Sequence, residues 1–130
     1  DFMEWNTNHK VDIIITNIPY GIKNFVKFLT KMKQVAEEEI ICLFPMSYLN
    51  GKERHRIYQD IDYPLCAIYP FTRFSLLTNE TQEKYKGGMS LYGWFVFKKG
   101  FVGDCIMKQI NNDPYIITDI RGAYKTKEYN

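Results

Sequence analysis

The sequence predicts one α/β domain over residues 1–130, built on a mixed sheet with parallel strands first and antiparallel strands near the C-terminus. Short apolar runs rich in β-branched residues recur along the chain. The first two flank a segment of helical period, and the last runs follow one another with no segment of helical period between them. A strand, a helix and a strand within about 30 residues make a crossover unit, which fixes the first two strands as parallel.

Val11-Asp12-Ile13-Ile14-Ile15-Thr16 reads as a buried strand. It stops at Asn17-Ile18-Pro19-Tyr20-Gly21, where Pro and Gly cannot continue a central strand. From Ile22 to Ala36 the period changes: Ile22, Phe25, Val26, Leu29, Met32 and Ala36 share one face, and Lys23, Lys27 and Lys31 line another. Ile40-Ile41-Cys42-Leu43-Phe44 is the second strand, ending at Pro45. Asn50-Gly51 opens a second helix with Arg54, Ile57, Tyr58 and Ile61 at helical spacing, which Pro64 ends. Leu65 to Tyr69 and Leu91 to Phe97 are the third and fourth strands. Between them, Thr78 to Ser90 has no apolar period and reads as a surface loop. Cys105-Ile106-Met107 and Tyr115-Ile116-Ile117-Thr118 suggest further extended segments, and residues 121–130 form a polar tail.

Composition excludes several classes. With 45% hydrophobic residues and 16% aromatic, the chain has ample material for a core, so disorder is ruled out. No apolar run approaches the roughly 20 residues of a membrane span, and Asp1-Phe2-Met3-Glu4 is not a secretory leader, so the expectation is a soluble cytoplasmic protein with no membrane partner. Seventeen Lys and Arg against fifteen Asp and Glu leave a net charge of +2, too small to argue for nucleic acid by itself. Cys42, Cys66 and Cys105 are odd in number and have apolar neighbours, which predicts reduced, buried thiols. Neither they nor His9 and His55 have metal-ligand spacing, so no metal is expected.

In open α/β sheets ligands bind outside the carboxyl ends of the strands, which directs attention to Asn17–Gly21, Pro45–Gly51 and Pro70–Asn79. The first of these offers an amide acceptor, a free backbone carbonyl, a rigid turn and an aromatic face, the groups that hold a planar amine. Asn17-Ile18-Pro19-Tyr20 resembles the Asn-Pro-Pro-Tyr motif of the S-adenosylmethionine-dependent DNA N6-adenine methyltransferases, with Ile18 in place of the first Pro. The order around it agrees with that family: Asp1-Phe2, then Val11-Asp12-Ile13-Ile14-Ile15, then the motif. Downstream, Leu43 to Gly51, Arg73-Phe74 and Trp94 to Gly100 resemble its later strands and aromatic position, so the likeness covers roughly residues 1–110.

The resemblance implies a partial Rossmann-like methyltransferase fold and S-adenosylmethionine as cofactor. It also implies that Asn17 and the carbonyl of Ile18 accept the two hydrogens of an adenine amine, aiming its lone pair at the sulfonium methyl, while Pro19 stiffens the loop. Tyr20 would stack on a base rotated out of the duplex, with Phe74 as a second wall and Lys84 and Lys86 towards phosphate. Asp1 would bond the cofactor's adenine amine, and Phe2 would pack on its ring.

The chain departs from the family in having no G-x-G loop before the motif; its first glycine is Gly21. The expectation is therefore the C-terminal, catalytic-loop part of a methyltransferase domain, with the cofactor half in an N-terminal segment or a partner subunit. Two functions follow. One is methyl transfer to adenine in DNA, with RNA as runner-up substrate, in restriction–modification or phage biology; the other is a non-catalytic methyltransferase-like module that binds DNA or protein.

Overall fold

The β-branched run and the helical period both become the elements they predict. A computed structural model describes residues 1–18, 21–71 and 91–111. After a 3₁₀ turn at Phe2–Glu4 come strand β1 (Val11–Thr16), helix α1 (Ile22–Val35), strand β2 (Ala36–Pro45) and a second 3₁₀ turn at Met46–Leu49. Helix α2 (Lys52–Tyr58) and strands β3 (Leu65–Pro70), β4 (Tyr92–Lys98) and β5 (Ile106–Met107) follow. Both 115–118 and the tail lie outside the described residues.

The five strands form one mixed sheet in the order β1-β2-β4-β3-β5. β1 and β2 are parallel, with Ile14 opposite Ile40 and Thr16 opposite Cys42. β4 runs antiparallel between β2 and β3, setting Phe95 beside both Cys42 and Ile68. β5 adds parallel to β3.

Side chains alternate along each strand, so the register sorts them onto two faces. Ile40, Cys42, Phe44, Phe95 and Phe97 are fully buried and form the main core with Phe25, Leu29 and Met32 of α1 and Tyr58 of α2. On the opposite face Cys66, Ala67 and Val96 make a smaller cluster with Ile41, Tyr69 and Phe101, to which neither helix contributes. Ile13 and Ile15 project beside Glu39 and Ile41 on that side and remain 46% and 66% exposed.

Four details differ from the sequence expectation. β2 starts at Ala36, not Ile40, because Glu37, Glu38 and Glu39 are drawn into the ladder despite low strand propensity. There Glu39 faces Lys98, a favourable cross-strand pair. α2 ends at Tyr58 and leaves Ile61 exposed, since Asp60 closes a turn by accepting the Asp62 N–H at 3.1 Å. Lys31, read from the sequence only as one of a row of lysines, is tied to the N-terminal turn: its ammonium donates to the Met3 carbonyl at 2.5 Å and lies 5.6 Å over the Phe2 ring. Cys105 is exposed, whereas Cys42 and Cys66 are buried as expected.

A half-buried ion pair ties the two helical elements together. The Lys33 ammonium on α1 donates to the Asp60 carboxylate at 3.1 Å and to the Ile57 carbonyl at 3.1 Å. Burial lowers the Lys33 pKa, with the Asp60 hydrogen bond and charge opposing it. Partial burial would raise the Asp60 carboxyl, but the Lys33 ammonium and the Asp62 N–H hold it below its ordinary 3.8.

Candidate active site

Asn17 and Ile18 leave the carboxyl end of β1 in opposite environments. Asn17 is exposed, while the Ile18 side chain is 4% exposed and belongs to the main core. Burying an isoleucine contributes about 1.5–3 kcal/mol. That matches or exceeds the roughly 1–2 kcal/mol needed to fix one loop residue. The Ile18 side chain is thus an apolar anchor for the residue that follows β1 and Asn17. Pro19 and Tyr20 lie outside the described residues, as do Phe74, Lys84 and Lys86.

The loop re-enters described structure at Gly21, whose backbone has φ +111° and ψ 141°. Side-chain-bearing residues rarely adopt this conformation, so glycine is needed at the corner. The Gly21 carbonyl accepts the Phe25 N–H at 2.9 Å and starts α1. The same geometry recurs after β2, where Gly51 has φ +108° and its carbonyl accepts the His55 N–H at 3.1 Å to start α2. Two strand-to-helix corners of one design therefore stand side by side at the carboxyl ends of adjacent parallel strands.

Between them lies Tyr48, in the turn after β2. Its hydroxyl accepts the Gly21 N–H at 3.3 Å. Its ring packs 5.6 Å from Phe25 and 5.2 Å from Phe44, and the Arg54 guanidinium lies 4.7 Å from the ring centre. The Tyr48 carbonyl accepts from the Tyr58 hydroxyl at 2.8 Å and from Arg54 Nε at 3.1 Å. Arg54, read from the sequence only by its helical spacing, thus braces Tyr48. His55 and Arg56 are exposed and line a cleft of about 610 Å³ with Leu49, Asn50, Gly51 and Lys52. Burial pushes the Cys42 thiol beneath this region up to about 12, so it stays protonated.

Sequence reasoning missed Tyr48 as a site residue. Its segment was one of the three loops marked for inspection, but a tyrosine in a short non-periodic turn carries no signal of the N–H it reaches.

Asp1 caps the first 3₁₀ turn, and Phe2 packs on α1. One Asp1 carboxylate oxygen accepts the Met3 N–H at 3.0 Å, and Phe2 is half-buried with its ring stacked on Phe28 at 6.1 Å and 16°. Ile18 belongs to the main core cluster and Phe2 packs against it, so both predicted segments share that core.

No model of a known protein family matches this sequence, and no curated protein matches it. Solved structures do match its fold. One is the modification subunit of a provisionally named type I restriction enzyme from Vibrio vulnificus, at 15% identity and TM-score 0.52, covering 95% of this chain and 29% of that one. A provisionally named RNA methyltransferase from Pyrococcus horikoshii matches at 18% identity and TM-score 0.54, covering 78% and 48%. A provisionally named class I S-adenosylmethionine-dependent methyltransferase from Listeria monocytogenes matches at 10% identity and TM-score 0.59, covering 83% and 39%. The likeness is one of fold: a mixed α/β sheet corresponding to part of a Rossmann-like methyltransferase domain. The chain spans less than half the length of each of these structures.

Proposed function

We propose that this chain carries the catalytic loop of an S-adenosylmethionine-dependent methyltransferase acting on the exocyclic amine of a flipped adenine in DNA. The observation that carries this reading is the placement of Asn17: exposed, at the carboxyl end of a parallel strand, with the next residue anchored in the core and a glycine corner opening the following helix. It is supported by the methyltransferase folds to which the chain is similar.

An adenine amine is a weak nucleophile because its lone pair is delocalised into the ring, so positioning must supply most of the rate. The Asn17 side-chain oxygen and the Ile18 carbonyl would each accept one amine hydrogen, drawing the nitrogen towards tetrahedral geometry without a titrating base. Tyr20 would cover the base, and the anchored Ile18 side chain would keep its own carbonyl from swinging. When bound, S-adenosylmethionine supplies an electrophilic methyl on sulfonium. Among the described residues, Asp1 and Phe2 fit one end of it: an exposed carboxylate with an oxygen left over from the Met3 contact can accept an amine hydrogen, and a half-buried ring can meet a planar base.

The remaining contacts to the cofactor would come from a further N-terminal segment or a partner subunit, which would also cover the sheet face bearing Ile13 and Ile15. The neighbour named as an RNA methyltransferase makes RNA the second substrate reading.

Calorimetric titration of the purified chain with S-adenosylmethionine comes first. Saturable binding means the site is completed in this chain or across copies of it; no binding directs the search to the completing segment or to the non-catalytic binding module. In the completed enzyme, Asn17→Ala should abolish labelled methyl transfer to adenine-containing duplexes, and undiminished turnover would remove the assignment.

A further inference from the structure

The loop between β1 and α1 is held at both ends by different means. At the entrance the Ile18 side chain is buried in the core; at the exit the Gly21 N–H donates to the Tyr48 hydroxyl at 3.3 Å, leaving only positions 19 and 20 between the anchors. An aromatic needed only for packing would be served by phenylalanine. Tyr48 is instead fixed in place by its contacts. Phe25 meets its ring edge-on at 84°, Phe44 tilts against it at 35°, the Arg54 guanidinium lies over it, and its carbonyl takes two side-chain donors. Arg54 also reaches the second corner, where its Nη2 lies 3.2 Å from where a Cβ on Gly51 would stand. The hydroxyl is thus held rigidly against the one backbone N–H at which the loop turns into α1.

We propose that Tyr48 is a positioning residue for the Asn17–Tyr20 loop: its hydroxyl, by fixing Gly21, sets the exit of the loop and with it the aim of the Asn17 amide and Ile18 carbonyl. The hydrogen bond stands on geometry alone, and its catalytic consequence rests on the methyl-transfer reading above. A group held by one hydrogen bond gains modest stability but much precision, so loss of the hydroxyl falls on rate more than on folding.

Tyr48→Phe keeps the ring and deletes the hydroxyl. In the ¹⁵N-glycine-labelled chain, the Gly21 amide should shift and exchange roughly three- to tenfold faster. Gly51 and Gly93 should stay in place, and the melting temperature should be nearly unchanged. In the completed enzyme, kcat for methyl transfer to an adenine-containing duplex should fall about tenfold or more with KM unchanged, a pattern that a merely structural residue would not give. An unmoved Gly21 amide overturns the proposal, and so does a released Gly21 amide with undiminished kcat. If the wild-type enzyme transfers no methyl, the functional reading fails instead, and the Gly21 amide alone judges the hydrogen bond. Should Tyr48→Phe unfold, Tyr58→Phe, which removes one of the two donors to the Tyr48 carbonyl, should loosen the same amide to a smaller extent; no change there overturns the proposal.

Discussion

The two faces of the sheet are finished differently. Under α1 and α2, Ile40, Cys42, Phe44, Phe95 and Phe97 have lost contact with solvent, whereas on the other side only the small cluster of Cys66, Ala67 and Val96 is buried among the described residues, Ile41, Leu43, Tyr69 and Trp94 are half-buried, and Ile13 and Ile15 are exposed. Parallel strands are ordinarily covered on both faces, and the outer edge of β1 has no partner strand among the described residues. Among the described residues α1 and α2 complete one layer, and the proposed completing segment would supply the second.

The largest test of this contrast is on the covered face. Phe95→Ala should cost about 3–5 kcal/mol in urea unfolding, because the ring is fully buried and packs against both Phe44 and Tyr58. A loss below about 1 kcal/mol would mean that this core is loosely packed.

A smaller effect sharpens the description of the same side. Asp60→Asn should cost about 1 kcal/mol, since the Lys33 ammonium then faces a neutral amide and loses its counter-charge. The pH dependence has a definite sign. The Asp60 pKa is lowered by folding, so its stabilisation is complete above about 3.8 and disappears as pH falls through the lower folded value; the variant should flatten that acid limb. The Lys33 pKa is also lowered, so folding should gain stability as pH rises towards 10.5, more so in the variant. Denaturation curves across both ranges check the two slopes.

The smallest effect belongs to the bare face. Ile15→Thr should change the stability of the isolated chain by no more than about 0.5 kcal/mol. A cost approaching that of Phe95→Ala, measured at low concentration, would show that this face is already covered.

Where period and punctuation dominate, the fold was legible. β1, α1 and the heart of β2 follow from apolar spacing bounded by Pro and Gly, and Gly51 marks the start of α2. The sheet order was not legible, because nothing local tells β4 to insert between β2 and β3. Glu37–Glu39 entered β2 through pairing, against their own propensity, and Ile61 was lost from α2 to the turn at Asp60. At the candidate site, the sequence pointed to Asn17, and the structure leaves it exposed at the carboxyl end of β1. The sequence did not reveal that the Ile18 side chain is a core anchor or that Tyr48 reaches Gly21, since both depend on segments brought together only by folding.

One joint constrains everything downstream of it. α1 ends at Val35 and β2 begins at Ala36 with no residue between, and the joint is clamped by the Ala36 N–H on the Met32 carbonyl and the Tyr63 hydroxyl on the Ala36 carbonyl at 2.9 Å. A connection with no slack sets the phase of the strand it feeds. One extra residue there would rotate Ile40, Cys42 and Phe44 onto the bare face and bring Ile41 and Leu43 under the helices. The length of the chain at this point is therefore as much a part of the fold's specification as the identity of any side chain in the core.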